Sequence, residues 1–123
     1  MAADAVQIAL TSSVNVRPAA VVAASVDQST GVDLTGYEGV AKFVWTTGAI
    51  TGTMDPLIQD SADNSTFANV TGLTAAQVTT ANQIREIAFD VRSVRRYVRA
   101  QSTVGTTSCA FSVTMIAQKK VTG

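Results

Sequence analysis

The stretch from Asp33 to Phe67 places the strongest constraint on the fold. Asp33-Leu34-Thr35-Gly36-Tyr37-Glu38-Gly39 leads into an apolar run of strand length, Val40, Phe43, Val44 and Trp45, and Ile50-Thr51-Gly52-Thr53 makes a short link to a second strand. That strand ends in Gln59-Asp60-Ser61-Ala62-Asp63-Asn64-Ser65-Thr66-Phe67. Short Asp, Ser, Asn and Thr side chains satisfy nearby backbone groups, so this cluster reads as a tight polar turn. Strand, link, strand and turn describe a β architecture before they suggest any chemistry.

The flanking segments repeat the pattern. Val6, Ile8 and Leu10 alternate with polar or small residues, and Val14 and Val16 resume the alternation until Pro18, which predicts an edge strand or strand end. Asp27 to Gly31 reads as a turn, and Gly36 or Gly39 as a bulge. Met54 to Gln59 predicts a short strand in which the missing N–H of Pro56 faces solvent or a sheet edge. Phe67 to Val70 is the next strand. Gly72 to Ile84 reads as loop with one helical turn capped by Thr74. Ile87, Phe89 and Val91 share one strand face, Val98, Ala100 and Ser102 another, and after the Gly105-Thr106-Thr107 turn Cys109, Phe111, Val113 and Met115 share a third.

About seven or eight short strands and no long helix predict an all-β, single-domain antiparallel β-sandwich, immunoglobulin-like or jelly-roll. At 123 residues the whole chain, 1–123, suits one domain, with 1–32 expected as an N-terminal arm or edge strands. A hydrophobic content of 46%, only 15% charged residues and a mean hydropathy of +0.23 exclude disorder and suggest apolar surface covered by a partner.

The Asp33-Leu34-Thr35-Gly36-Tyr37-Glu38-Gly39 opening, the Gly48-Ala49-Ile50-Thr51-Gly52-Thr53 link, the Gln59 to Phe67 turn and the Arg95-Arg96-Tyr97-Val98-Arg99-Ala100 strand together resemble a family of small β-sandwich proteins of tailed bacteriophages that sit on or near the capsid. The resemblance spans about Asp33 to Gln118 and rests on turn chemistry and strand alternation. It implies a capsid decoration (cement) protein that bridges neighbouring major capsid subunits on the outer shell, self-associates as a dimer or trimer, and is assembled in the host cytoplasm into the virion. The alternatives are a head-to-tail connector or tail component, and a carbohydrate-binding attachment module using Trp45 and Tyr37.

The residue inventory excludes the common enzyme designs. With no histidine there is no Ser-His-Asp or Cys-His arrangement and no imidazole ligand, and no phosphate-cradling glycine loop occurs. The chain therefore reads as non-enzymatic, with no cofactor and no metal. Asp60, Asp63 and Asn64 lack the spacing of a calcium loop and read as turn formers. The single cysteine, Cys109, cannot form an internal disulfide and reads as a small buried hydrophobe. Asn64-Ser65-Thr66 and Asn69-Val70-Thr71 match the glycosylation pattern by chance. The opening Met-Ala-Ala-Asp lacks a basic leader, and Ala19 to Val26 is shorter than the roughly 20 residues of a membrane helix, so no membrane partner is expected.

Charge is balanced overall and uneven along the chain. Seven acids against Arg17 and Lys42 give a net −5 before Arg85, and seven bases against Glu86 and Asp90 give +5 from there onward. The asymmetry suits either contacts between copies or with a shell subunit, or cancellation between interleaved strands. Arg92, Arg95, Arg96, Tyr97 and Arg99 are the candidate protein-interface residues, because Arg and Tyr are enriched where partners bind. The zero net charge and few aromatics argue against a specific nucleic-acid partner. A solvated face paired to acids on a neighbouring strand is the competing reading of the same cluster.

Overall fold

The computed structural model describes residues 11–120. Three strands dominate it: β1 (Thr11–Gln28), β3 (Tyr37–Ser61) and β6 (Tyr97–Lys119) contain 18, 25 and 23 residues. Shorter strands are β2 (Val32–Asp33), β4 (Ala68–Thr74) and β5 (Ile84–Asp90), and a 3-10 turn, Leu34–Gly36, joins β2 to β3. All pairing is antiparallel. The strand expected around Val6 to Leu10, and any arm formed there, lie outside the described residues.

A straight strand of this length would extend about 80 Å. The long strands instead fold over on themselves. The register of β3 against β6 shifts between Thr47 and Ile50 and again at Gly52, and β1 shifts against β6 between Ala23 and Ser25. These breaks are neighbours, because Ser108 of β6 lies opposite both Ala23 of β1 and Thr51 of β3. Gly52 permits the corner, having φ +114 and lying so close to β6 that an added Cβ would run into the Gly105 carbonyl oxygen. On the open side of the fold-over, Arg17 Nε donates to Asp27 Oδ2 at 2.9 Å and the Arg17 guanidinium lies 5.6 Å from the centre of the Phe111 ring.

Two layers result. In one, the first part of β1, the last part of β6, the first part of β3 and β5 lie side by side; in the other, the end of β1 continued by β2, the start of β6, the end of β3 and β4. Counted by layer, the six strands occupy eight positions, which accounts for the number expected from turn spacing. The chain changes layer within its strands, with orders 1-6-3-5 and 1-6-3-4, and this is the jelly-roll arrangement, not the immunoglobulin one.

Several sequence expectations are met. Ile87, Phe89, Val98, Ala100, Ser102, Cys109, Phe111, Val113 and Met115 are buried. Phe43 packs on Trp45 and Phe89 at ring distances of 6.1 and 5.8 Å, in a core drawn from both layers. Gly39, with φ +75, sits at the register shift between Glu38 and Lys42, where a bulge was expected. Pro56 departs from expectation: it is fully buried, and because its carbonyl accepts from Ala75 N–H its ring nitrogen faces the irregular segment after β4, not solvent or a sheet edge. Cys109 is fully buried, and burial pushes its thiol pKa up.

Other expectations are corrected. The links at Gly48–Thr53 and Gly105–Thr107 do not separate strands; they are corners of continuous β3 and β6, which keep their hydrogen-bonded ladder by bending together. No helical turn follows Thr74. Gly72 to Thr74 belong to β4, and Val78, fully buried, exchanges both backbone hydrogen bonds with Met54. Burying Val78 against that strand outweighs the weak helix tendency of a Thr-rich segment.

Candidate protein interface

The fold brings the loops Ser29–Gly36, Ala62–Phe67 and Val91–Arg96 to the end of the sandwich opposite the corners, and most of the charge collects there. β6, from the basic part of the sequence, lies between β1 and β3 of the acidic part. Three of the five ion pairs among the described residues join the two parts: Lys42–Glu86 at 2.8 Å, Arg95–Asp60 at 2.9 Å and Arg96–Asp33 at 2.9 Å. Two of these, Arg95–Asp60 and Arg96–Asp33, set a base of the basic part against an acid of the acidic part, so the sequence asymmetry is offset in part within one molecule.

Each of the five candidate residues has a defined setting. Arg95 grips Asp60: Nε and Nη2 both donate to Oδ1, at 3.0 and 2.9 Å, Nη2 donates to the Asp60 carbonyl at 2.9 Å, and the Arg95 backbone N–H donates to Oδ2 at 3.0 Å. Arg96 Nε and Nη2 donate to the two Asp33 oxygens at 3.1 and 2.9 Å, and its guanidinium lies 5.0 Å over the Tyr97 ring. Arg99 donates to Gln59 Oε1 at 2.9 Å and lies 4.0 Å over the Phe67 ring, where burial lowers its pKa. Tyr97 and Arg99 share the outward face of β6, since Val98 and Ala100 point into the core. Arg95 precedes that strand and reaches across to β3. Arg92 is the loosest: its side chain is 86% exposed and meets only Asp90, at 3.3 and 3.4 Å.

Carboxylates fix these loops. Asp33 accepts from the Arg96 guanidinium and from the hydroxyl and backbone N–H of Thr35, which hold it well below the usual carboxylate range. Asp63 is lowered to about 2 by the Thr66 N–H, the Ser61 hydroxyl and the Ser65 N–H. Asp63 is thus the keystone of a turn, as its sequence context suggests. No group of three His, Cys, Asp or Glu residues suited to a metal ion occurs among the described residues.

A groove of about 590 Å³ opens at this end, with Leu34, Tyr37 and Val91 as its apolar lining and Arg92, Arg96 and Lys120 as its cations. The sequence points to Arg92 and Arg96 as interface residues and to Tyr37 only as a sugar platform. The only signal for Lys120 is its position in a basic pair, and its place beside Gly36, whose carbonyl its backbone N–H reaches at 2.9 Å, depends on non-local pairing. Trp45 is not part of any surface: it is 0% exposed.

The architecture defines a small jelly-roll β-sandwich, and solved structures share it. The SPBc2 prophage-derived protein YomS matches with a TM-score of 0.56 and 11% identity, over 87% of this chain and 91% of its own. A protein of Bacillus endospore appendages, described as disulfide-linked pili, matches with a TM-score of 0.51 and 11% identity, over 90% of this chain and 89% of its own. A protein of the infectious bursal disease virus Gx strain matches with a TM-score of 0.56 and 9% identity, over 89% of this chain and 32% of its own. At such identities the likeness is one of fold. No family model and no curated protein matches the sequence.

Proposed function

We propose that this chain is a non-enzymatic structural protein of a tailed-phage virion, which decorates the outer capsid surface and stabilises it by bridging neighbouring major capsid subunits. The observation that carries the reading is the near full-length fold shared with a prophage-encoded protein, over 87% of this chain and 91% of the other. The viral protein that shares the fold adds support, as does the resemblance of the Asp33 to Gln118 segments to phage decoration proteins. The mechanism is mechanical: many copies, each burying a standard interface across two shell subunits, add their binding energies over a particle. Arg92, Arg95, Arg96, Tyr97 and Arg99 supply a charged end held in shape by its own ion pairs, suited to fixing orientation on a shell subunit. Self-association as a dimer or trimer belongs to the same reading. A sugar platform is disfavoured because the indole of Trp45 lies inside the core.

The test is cosedimentation with expanded empty heads that lack this protein, followed by electron microscopy. Saturation at symmetry-related surface sites, with increased heat resistance of the heads, is the expected result. Absence of binding, or binding confined to a single ring at the portal, would overturn the decoration role.

A further inference from the structure

Charge is distributed along the molecule as well as along the chain. The segments 18–26, 43–54 and 100–118 contain no charged residue, and they include the corners of the three long strands, which neighbour one another through Ser108. β1 also lies at the sheet edge: among the described residues it pairs only with β6, so its other side presents backbone groups with no strand beside them. Long, uncharged edges are what soluble sandwiches ordinarily guard against with charge or bulges. β5 is guarded by Arg85, Glu86 and Asp90 and β4 by Gly72 at φ +84 and a register shift that leaves three paired residues, whereas β1 carries Pro18 and register shifts on either side of one unguarded stretch, Ala20 to Ala23.

The exposed stretch of β1 is self-complementary. Ala20 to Ala23 pair regularly with β6, with Ala20 and Val22 on the core side opposite Phe111 and Cys109, and Val21 and Ala23 on the outer side opposite Ala110 and Ser108. Val21 is 74% and Val26 55% exposed. An antiparallel meeting of two copies about a two-fold at Val22 keeps core-side residues with core-side residues. It sets Val22 against its own copy and Val21 against Ala23, small apolar residues that lie before the corner between Ala23 and Ser25. The flanking charges do not obstruct it, because Arg17 and Asp27 are tied to each other within the chain at 2.9 Å.

We propose that two copies of this chain associate edge to edge through β1, in register about Val22, continuing the sheet from one sandwich into the next. The partner is a second copy because an unpaired strand edge is matched by another strand, and this one is apolar, free of like-charge conflict and palindromic in side-chain size. The inference deepens the self-association in the functional reading and requires no shell, so it stands or falls separately from capsid binding.

Sedimentation velocity of the full chain tests it, with circular dichroism confirming that each variant is folded. The wild type is expected at twice 12.8 kDa. V21E/A23E sets carboxylates against carboxylates across the two-fold and is expected to weaken association at least about tenfold. V21K/A23E sets opposite charges against each other in this register alone and is expected to restore the dimer. A wild-type monomer would overturn the proposal, showing the edge to be covered by something else, the first ten residues included. An oligomer indifferent to V21E/A23E, or one that V21K/A23E fails to restore, would overturn it equally.

Discussion

Trp45 Nε1 donates to Ser102 Oγ at 2.8 Å, although Trp45 lies opposite Val113 in the strand ladder, eleven residues further along the strand that carries Ser102. In a straight strand those positions would be about 36 Å apart. The bond therefore runs between the two layers, and it satisfies the only indole N–H of the chain inside the core, where Trp45 is 0% and Ser102 1% exposed. A tryptophan buried this deeply needs a partner for its N–H, and Ser102, on a strand face that otherwise carries Val98, Ala100 and Val104, provides it.

Ser102→Ala removes that acceptor and leaves the indole N–H buried without a partner. Urea denaturation followed by Trp45 fluorescence is expected to show a loss of about 1–3 kcal/mol. A neutral substitution would mean that the interlayer bond contributes nothing to stability.

Gly52→Ala should be more damaging than its exposure suggests. The residue has φ +114, and a Cβ there would meet the Gly105 carbonyl and lie 2.7 Å from Thr106 Cβ. Strain of this kind costs about 1–3 kcal/mol. The thermal midpoint of Gly52→Ala is expected to fall clearly, whereas Gly36→Ala, with open space around the added carbon, should leave it nearly unchanged.

Asp60→Ala removes three hydrogen bonds that its carboxylate accepts from Arg95, including the one from the backbone N–H, and leaves only the bond to the Asp60 carbonyl. Arg95 is half exposed, so solvent screens the pair and the expected cost is about 1 kcal/mol. Faster amide exchange at Arg95 and Arg96 is the local signature to look for.

Acid should loosen the charged end. Asp33, Asp63 and Asp90 all have folded pKa values below the usual 3.8. The unfolded chain then binds more protons at low pH, so the stability these groups contribute is complete above about 4 and is lost as pH falls toward about 2. Denaturant midpoints measured down this range should drop, and Asp63→Asn should make the drop shallower. All three carboxyls are exposed, so added salt should reduce the effect.

Arg92→Glu separates folding from binding. The side chain is 86% exposed and its contact with Asp90 is long, so stability should change by less than about 0.5 kcal/mol. On heads that lack this protein, the same substitution is expected to lower affinity under the proposed function; unchanged affinity would remove Arg92 from the interface.

What the sequence determined by itself is local and periodic. Alternation assigned the buried faces of β5 and β6, from Ile87 and Phe89 to Cys109 and Met115, because a period of two is written into neighbouring residues. Turn chemistry assigned Asp60 to Thr66, because Asp63 needs only residues two or three positions away to satisfy its oxygens. The arginine cluster was legible as a cluster, but its partners were not: Asp33 and Asp60 lie 63 and 35 residues from the arginines they hold. Only the tertiary structure decided that the Gly48–Thr53 and Gly105–Thr107 links are corners of unbroken strands and that the acidic and basic parts interleave. It also decided that the uncharged segments meet at the corners of a jelly roll. Strand register depends on the summed burial of many distant pairs, and no short stretch of sequence carries that sum.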